Sequence, residues 1–237
     1  LTELSKAVKY SGADFGVAFD GDGDRVIFTD EEGRVITPEQ AAIVMLEGGE
    51  RGDVVVNVEC SRVLEEYVRS YGGRVYRIPV GHTFMVNAVS EYGAVLGVES
   101  SGHFVVRRNL NMDDGILALV HFIDCLANVG REVSEIVPQT YPVVRGKVSV
   151  SDYLKFEVVE RLKRKFASEY GDVDTVDGVR VNLDKGWVLV RPSNTEPLIR
   201  ITVEAENEEL AKKLYEEFKS YVVSEVKAIE GGARRQP

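Results

Sequence analysis

Residues 53–98 read DVVVNVECSRVLEEYVRSYGGRVYRIPVGHTFMVNAVSEYGAVLGV, and their alternation decides the fold. Short apolar, β-branched runs at 53–58, 74–80 and 94–98 read as buried strands. Between them lie two helical stretches. Ser61 to Tyr71 ends at Gly72-Gly73, and a second over roughly 82–92 ends at Gly93. Parallel neighbours need such crossovers, so repeated strand–helix units imply a mostly parallel sheet with helices on both faces.

Upstream, Leu1 to Tyr10 reads as the end of a helix and Phe15 to Phe19 as a buried strand. Arg25 to Thr29 is a second strand, Asp30 to Gly33 a turn, and Arg34 to Ile36 completes a hairpin. Thr37-Pro38-Glu39-Gln40 starts a helix: Thr37 caps it, Pro38 fits its first position and Gln40 completes a capping box. That helix stops at Gly48-Gly49. Downstream, an amphipathic helix covers about 113–129 and ends at Gly130. The stretch 131–142 carries Pro138 and Pro142 and loses periodicity, which places a domain boundary there.

Beyond it the order changes to a strand near 143–150, a helix from Ser151 to Tyr170, strands at 179–183 and 187–191 turned by Asp184-Lys-Gly186, a strand at 199–204, and a C-terminal helix capped by Asn207. The expected fold class is therefore a mixed, largely parallel-sheet α/β domain followed by an α+β domain. Residues 231–237 read as a disordered tail.

The 237 residues are 44% hydrophobic and 29% charged, a globular mix that excludes disorder as the main state. The net charge of −10 argues against a nucleic-acid binder working by bulk charge, while leaving room for local anion pockets. No apolar run is long enough to span a bilayer and no charged-then-apolar leader is visible, so no membrane partner is expected. Cys60 and Cys125 make neither a disulfide framework nor a zinc cluster, and read as buried thiols of a cytoplasmic protein. The opening Leu1-Thr-Glu-Leu4 reads as the interior of something longer.

Three loops carry the chemistry. In Asp20-Gly-Asp-Gly-Asp-Arg25 the glycines let the backbone bend until three carboxylates converge. A hard divalent cation removes their repulsion, so Asp20, Asp22 and Asp24 are candidate Mg²⁺ ligands and Arg25 a phosphate contact. Three other readings stand beside this one. A solvated acidic turn needs no ion. An EF-hand would need Gly where Arg25 stands, and helical flanks. A haloacid-dehalogenase-type phosphatase, with Asp20 as nucleophile and Asp22 as acid, usually carries Thr or Val in place of Asp24.

Gly97-Val-Glu-Ser-Ser-Gly-His103 follows a strand and offers Glu99, Ser101 and His103, a set suited to vicinal sugar hydroxyls. His103 is also a candidate proton shuttle. Gly81-His82 stands at a strand's C-terminal end, where α/β ligand sites gather, although an isolated His is more often structural. Asp113-Asp-Gly115 reads as a helix cap. The third loop, Arg191-Pro-Ser-Asn-Thr-Glu-Pro197, offers Arg191, Ser193, Asn194 and Thr195 to a phosphate, with Arg200 close behind; an ordinary β-turn is the plainer reading.

Together and in this order, the three loops and Pro79-Val-Gly-His82 resemble the α-D-phosphohexomutases: phosphoglucomutases, phosphomannomutases and phosphoglucosamine mutases. The resemblance implies four domains around a cleft. Residues 1–36 would be the end of the second with its metal loop, 37–138 the third, and 139–237 the fourth, similar to a TATA-box-binding-protein fold. It implies an isomerase using Mg²⁺ and a hexose 1,6-bisphosphate. Arg25 would steady phosphoryl oxygens, Glu99 and Ser101 would hold sugar hydroxyls, and His103 or His82 would move the proton. Arg191, Ser193, Asn194, Thr195 and Arg200 would clamp the second phosphate.

Two departures matter. The family's Ser-His-Asn type phosphoserine loop is absent, so the chain alone is expected to be inactive, a binder of metal and sugar phosphate that needs the N-terminal mutase domains. In Val56-Asn-Val-Glu-Cys-Ser-Arg62, Glu59 stands where some bacterial members carry Lys, which shifts weight to His82 and His103. Ser193-Asn-Thr195 resembles the phosphomannomutase form more than the Ser-Gly-Thr form of phosphoglucosamine mutases.

Overall fold

Glycine ends the first helix. α1 (Thr2–Ser11) stops at Gly12, whose φ of 65° is left-handed. The computed structural model describes residues 1–107 and 112–233. After α1, β1 (Gly16–Phe19), β2 (Val26–Thr29) and β3 (Val35–Ile36) form a three-stranded antiparallel sheet, with the acidic loop joining its first two strands. α2 (Pro38–Gly48) has the expected capping box: Thr37 Oγ1 accepts from the Gln40 amide at 3.2 Å, and Gln40 Oε1 from the Thr37 amide at 2.9 Å. Residues 38–46 of α2 are all buried, as befits a helix enclosed on every side.

β4 (Val54–Asn57), α3 (Arg62–Ser70), β5 (Val75–Ile78), α4 (His82–Tyr92) and β6 (Leu96–Val98) then alternate. β4 is central and pairs in parallel with β5 and β6. β7 (Phe104–Val106) joins the other edge antiparallel to β6, giving the order β5-β4-β6-β7. The sequence reading passed over β7, because three residues are too short for a periodic signal and their pairing is set by the sheet. α5 (Gly115–Val129) lies against α2 so closely that a Cβ at Gly48 would overlap the Cys125 carbonyl. α6 (Val133–Ile136), one turn long, occupies part of the stretch expected to be irregular.

Residues 1–140 form one compact unit. Val26, Phe28 and Ile36 of the three-stranded sheet share one core with Met45, Phe104 and Phe122, and the Phe28 and Phe122 rings stack at 4.3 Å. The acidic loop is therefore rooted in the same apolar mass as the strands that carry Glu99 and His103.

Residues 141–237 form a second unit. β8 (Val143–Ser149), α7 (Lys155–Glu169), β9 (Val173–Asp174), β10 (Val179–Leu183), β11 (Gly186–Pro192), β12 (Leu198–Ala205) and α8 (Glu208–Ala233) follow in order. The five strands make an antiparallel sheet, β8-β12-β11-β10-β9. Its valine-rich face packs on Phe166 of α7 and Phe218 of α8, whose rings lie 5.0 Å apart. Three local expectations are corrected. α7 starts at Lys155 after a turn over 151–154, the short β9 was not anticipated, and α8 continues to Ala233 where a tail was expected from 231. Residues 234–237 lie outside the described residues.

Candidate active site

Parallel strands end on one side of their sheet, so the loops after β5 and β6 emerge together. Glu99 follows β6 and is 2% exposed. Its Oε1 accepts the Gly81 amide at 2.8 Å, which ties the loop after β6 to the one after β5. Its Oε2 accepts from Ser101 Oγ at 3.1 Å and lies 3.3 Å from His103 Nδ1. Ser101 Oγ is also 2.8 Å from that nitrogen. Since the Ser101 proton goes to Glu99, its oxygen is an acceptor for His103. The expected trio is thus one hydrogen-bonded cluster.

The electrostatics follow. Burial pushes the Glu99 carboxyl up, but hydrogen bonds from His103, Gly81 and Ser101 outweigh it and hold the group below its usual range. The same bond to Glu99 raises the His103 imidazole above its ordinary value against the effect of burial, with help from the charges of Asp24 and Asp113.

The acidic loop is fastened alongside. The Val26 amide donates to the Gly102 carbonyl at 3.0 Å, an isolated bridge pairs Arg25 with His103, and the Gly115 amide donates to the Gly23 carbonyl at 3.2 Å. Asp20, Asp22 and Asp24 bring ligand oxygens within 4.8 Å of one another. Asp20 Oδ1 accepts the amides of Gly23 and Arg25 at 3.2 and 3.3 Å, and Oδ2 meets Arg25 Nε at 2.5 Å. Desolvation, the largest single effect, pushes the Asp20 carboxyl up, but the bonds from Arg25 and Gly23 and the Arg25 charge together outweigh it and hold the group below the usual carboxylate range.

Asp24 Oδ1 is buried and, among the described residues, has no hydrogen-bond partner. A buried carboxylate oxygen without a donor beside two more carboxylates fits a hard cation with oxygen ligands, and so fits Mg²⁺. Arg25, the expected phosphate contact, serves meanwhile as the countercharge, 3.8 Å from the same Asp24 oxygen.

His82 and Asp113 complete the cluster. Asp113 Oδ2 lies 3.1 Å from His82 Nδ1 and 3.9 Å from His103 Nε2, which is itself 3.4 Å from Asp24 Oδ2. The expectation of a cap is met by Asp114, which accepts the amides of Ile116 and Leu117, both at 2.9 Å. Asp113 instead faces the histidines. Nothing in a doublet of aspartates tells which one turns to the helix and which to the site.

The residues expected to contact a phosphate lie in the second unit. Arg191 on β11 and Arg200 on β12 are cross-strand partners at the base of a hairpin loop. Arg191 reaches Asp177 at 3.3 Å, and exposed Arg200 pairs with Glu196 at 2.7 Å. Ser193 is 2% exposed and accepts the Glu196 amide at 3.2 Å, so its hydroxyl shapes the loop. Asn194 and Thr195 are exposed at the tip. Lys155, which sequence reasoning missed, is 2% exposed and holds the loop from below by donating to the Glu196 carbonyl at 3.1 Å.

Three family models match in succession. Residues 1–33 match phosphoglucomutase/phosphomannomutase alpha/beta/alpha domain II, 39–144 match alpha/beta/alpha domain III, and 147–220 match the C-terminal domain. The "Probable phosphoglucosamine mutase" of Methanopyrus kandleri is 44% identical over 92% of this chain and 50% of its own length. The phosphomannomutase/phosphoglucomutase of Pseudomonas aeruginosa is 33% identical over 93% of this chain and 49% of its own. A crystal structure of a phosphoglucomutase/phosphomannomutase family protein from Burkholderia thailandensis superposes with a TM-score of 0.82 at 25% identity, over 95% of this chain and 50% of that one. The chain spans about half the length of the curated relatives it matches. With three domain models matched in family order and the loops placed as described, the chain belongs to the α-D-phosphohexomutase family of phosphoglucomutases and phosphomannomutases.

Proposed function

We propose that the chain supplies the metal, sugar and phosphate loops of a phosphohexomutase that interconverts hexose 1-phosphate and hexose 6-phosphate through a hexose 1,6-bisphosphate. The observation that carries this reading is the 3.4 Å approach of Asp24 Oδ2 to His103 Nε2, which sets the metal loop against the sugar loop. In this reading residues 1–36 end the mutase's second domain, 37–138 are its third and 139–237 its fourth. The N-terminal mutase domains bring the phosphoserine, and the chain alone does not turn over. The setting is cytoplasmic; among the described residues no helix is long and apolar enough to cross a membrane.

Asp20, Asp22 and Asp24 would hold Mg²⁺, which when bound supplies positive charge to phosphoryl oxygens. Arg25, released from Asp20, adds a second positive group there. Glu99 and Ser101 accept and donate hydrogen bonds to two sugar hydroxyls, a contact that either orientation of the bisphosphate can make. His103 or His82 takes the proton of the hydroxyl that receives the phosphoryl group and returns it in the reverse step. Arg191, Asn194, Thr195 and Arg200 bind the phosphate that is not reacting, on a loop shaped by Ser193.

Isothermal titration of the 237-residue chain with glucose 1,6-bisphosphate in Mg²⁺ tests this. Binding is expected, weakened by Glu99→Ala and by Arg191→Ala. Absence of binding at millimolar ligand overturns the reading. Glucosamine phosphate is a second candidate for the preferred sugar, favoured by the 44% identity to the Methanopyrus relative against 33% to the Pseudomonas one, while the Ser193-Asn-Thr195 form favours mannose or glucose phosphate. Competition among the three hexose 1-phosphates separates them.

A further inference from the structure

We infer that Asp113 is a positioning residue for His82: it accepts the Nδ1 proton, fixes the ring, and leaves Nε2 as the basic atom. This deepens the mutase reading by assigning how one of its two histidines is held.

The argument starts from what His82 lacks. It is the first residue of α4, its side chain is 60% exposed, and Gly81 before it offers no side-chain cap. An imidazole so placed has little packing to choose its rotamer. Asp113 makes up the deficit. Its carboxylate is 11% exposed and presents both oxygens to one nitrogen, with Oδ2 at 3.1 Å and Oδ1 at 3.4 Å from His82 Nδ1.

Asp113 is itself well anchored. A backbone bridge joins it to Val105 at the edge strand of the sheet, and Asp114 takes over the capping of α5. The carboxylate is therefore set by two elements and needed by neither helix. His103 does not claim it, because His103 Nε2 is nearer to Asp24, at 3.4 Å, than to Asp113, at 3.9 Å.

A neutral imidazole carries one proton, and an acceptor at one nitrogen decides which nitrogen carries it. A carboxylate facing Nδ1 selects the Nδ1–H tautomer and holds the ring plane, as the third member of a catalytic triad does for its histidine. The lone pair then sits on Nε2, where a sugar hydroxyl can give up its proton.

The protein has three histidines, so long-range ¹H–¹⁵N spectra of the 237-residue chain, assigned with His82→Asn and His121→Asn, read each tautomer directly. The neutral His82 ring is expected as Nδ1–H, with the preference lost in Asp113→Ala and Asp113→Asn and retained in Asp114→Ala, which removes only the cap. A wild-type His82 found mainly as Nε2–H overturns the inference, as does an unchanged tautomer in either folded Asp113 variant. Should Asp113→Ala fail to fold, Asp113→Asn and the wild-type spectrum still decide. No turnover is needed, so this result stands apart from the mutase reading. Loss of the preference with no change in kcat, in an assembly of this chain that turns over hexose phosphate, would leave Asp113 in its role and remove His82 from the reaction.

Discussion

The amide of Val26 donates to the carbonyl of Gly102 at 3.0 Å, and that single bond joins the strand that leaves the acidic loop to the turn that presents His103. Gly102 has a φ of 100°, and a Cβ there would stand 2.9 Å from the Val26 carbonyl oxygen. Gly102→Ala is thus expected to cost roughly 1–3 kcal/mol through backbone strain and to loosen both loops at once. Thermal melts and Mg²⁺ titration check it; a lowered melting temperature with weakened Mg²⁺ binding is the expected pair.

Asp22 is the most open of the three loop carboxylates, and Asp20 is already occupied by Arg25. Asp22→Asn should therefore lower Mg²⁺ affinity by about tenfold, roughly 1.4 kcal/mol, with little effect on stability. Calorimetric titration with Mg²⁺ alone measures this, and an unchanged affinity would count against the cation site.

Glu47 makes a pH-dependent contribution away from the site. Its carboxylate accepts from the Tyr67 hydroxyl and from Arg51 at 2.7 Å, and these partners hold its pKa below the ordinary 4.5 in spite of burial. A depressed folded pKa means that the stabilisation is fully present above the unfolded value and is lost as pH falls through the folded one. Glu47→Gln should lower stability at neutral pH and flatten the acid limb below pH 4.5, as read from urea midpoints across a pH series.

Gly48→Ala probes the contact between α2 and α5. The added methyl group would overlap the Cys125 carbonyl, which as backbone cannot swing aside. Overpacking of this kind costs typically about 1–3 kcal/mol, and a helix propensity gain of about 1 kcal/mol does not offset the clash. A fall in the thermal midpoint is expected; an unchanged midpoint would mean that the helices separate easily.

Local chemistry made much of the fold legible. Thr37 and Gln40, Asn207, and the terminating Gly93 and Gly130 act within a turn of their own positions, and the helices they bound follow the expected ranges closely. The acidic loop was legible for the same reason, since its glycines and carboxylates lie within six residues. β7 was not, because three residues become a strand only when β6 is beside them. Asp113 was not, because its partner His82 is distant in the chain and its neighbour Asp114 is chemically identical. Ser193 and Arg200 read as phosphate ligands by type; residue type alone does not disclose that the Ser193 hydroxyl accepts the Glu196 amide or that the Arg200 guanidinium pairs with the Glu196 carboxylate.

The core that Val26, Phe28 and Ile36 share with Phe104 and Phe122 bears on recombination among relatives. A crossover near Ile36 would swap half of an interlocked set of rings and leave mismatched volumes on both sides of the join. The acidic hairpin and the sheet that carries Glu99 and His103 should therefore be inherited as one block, and chimeras should tolerate a seam near Thr140 far better than one between the hairpin and α2.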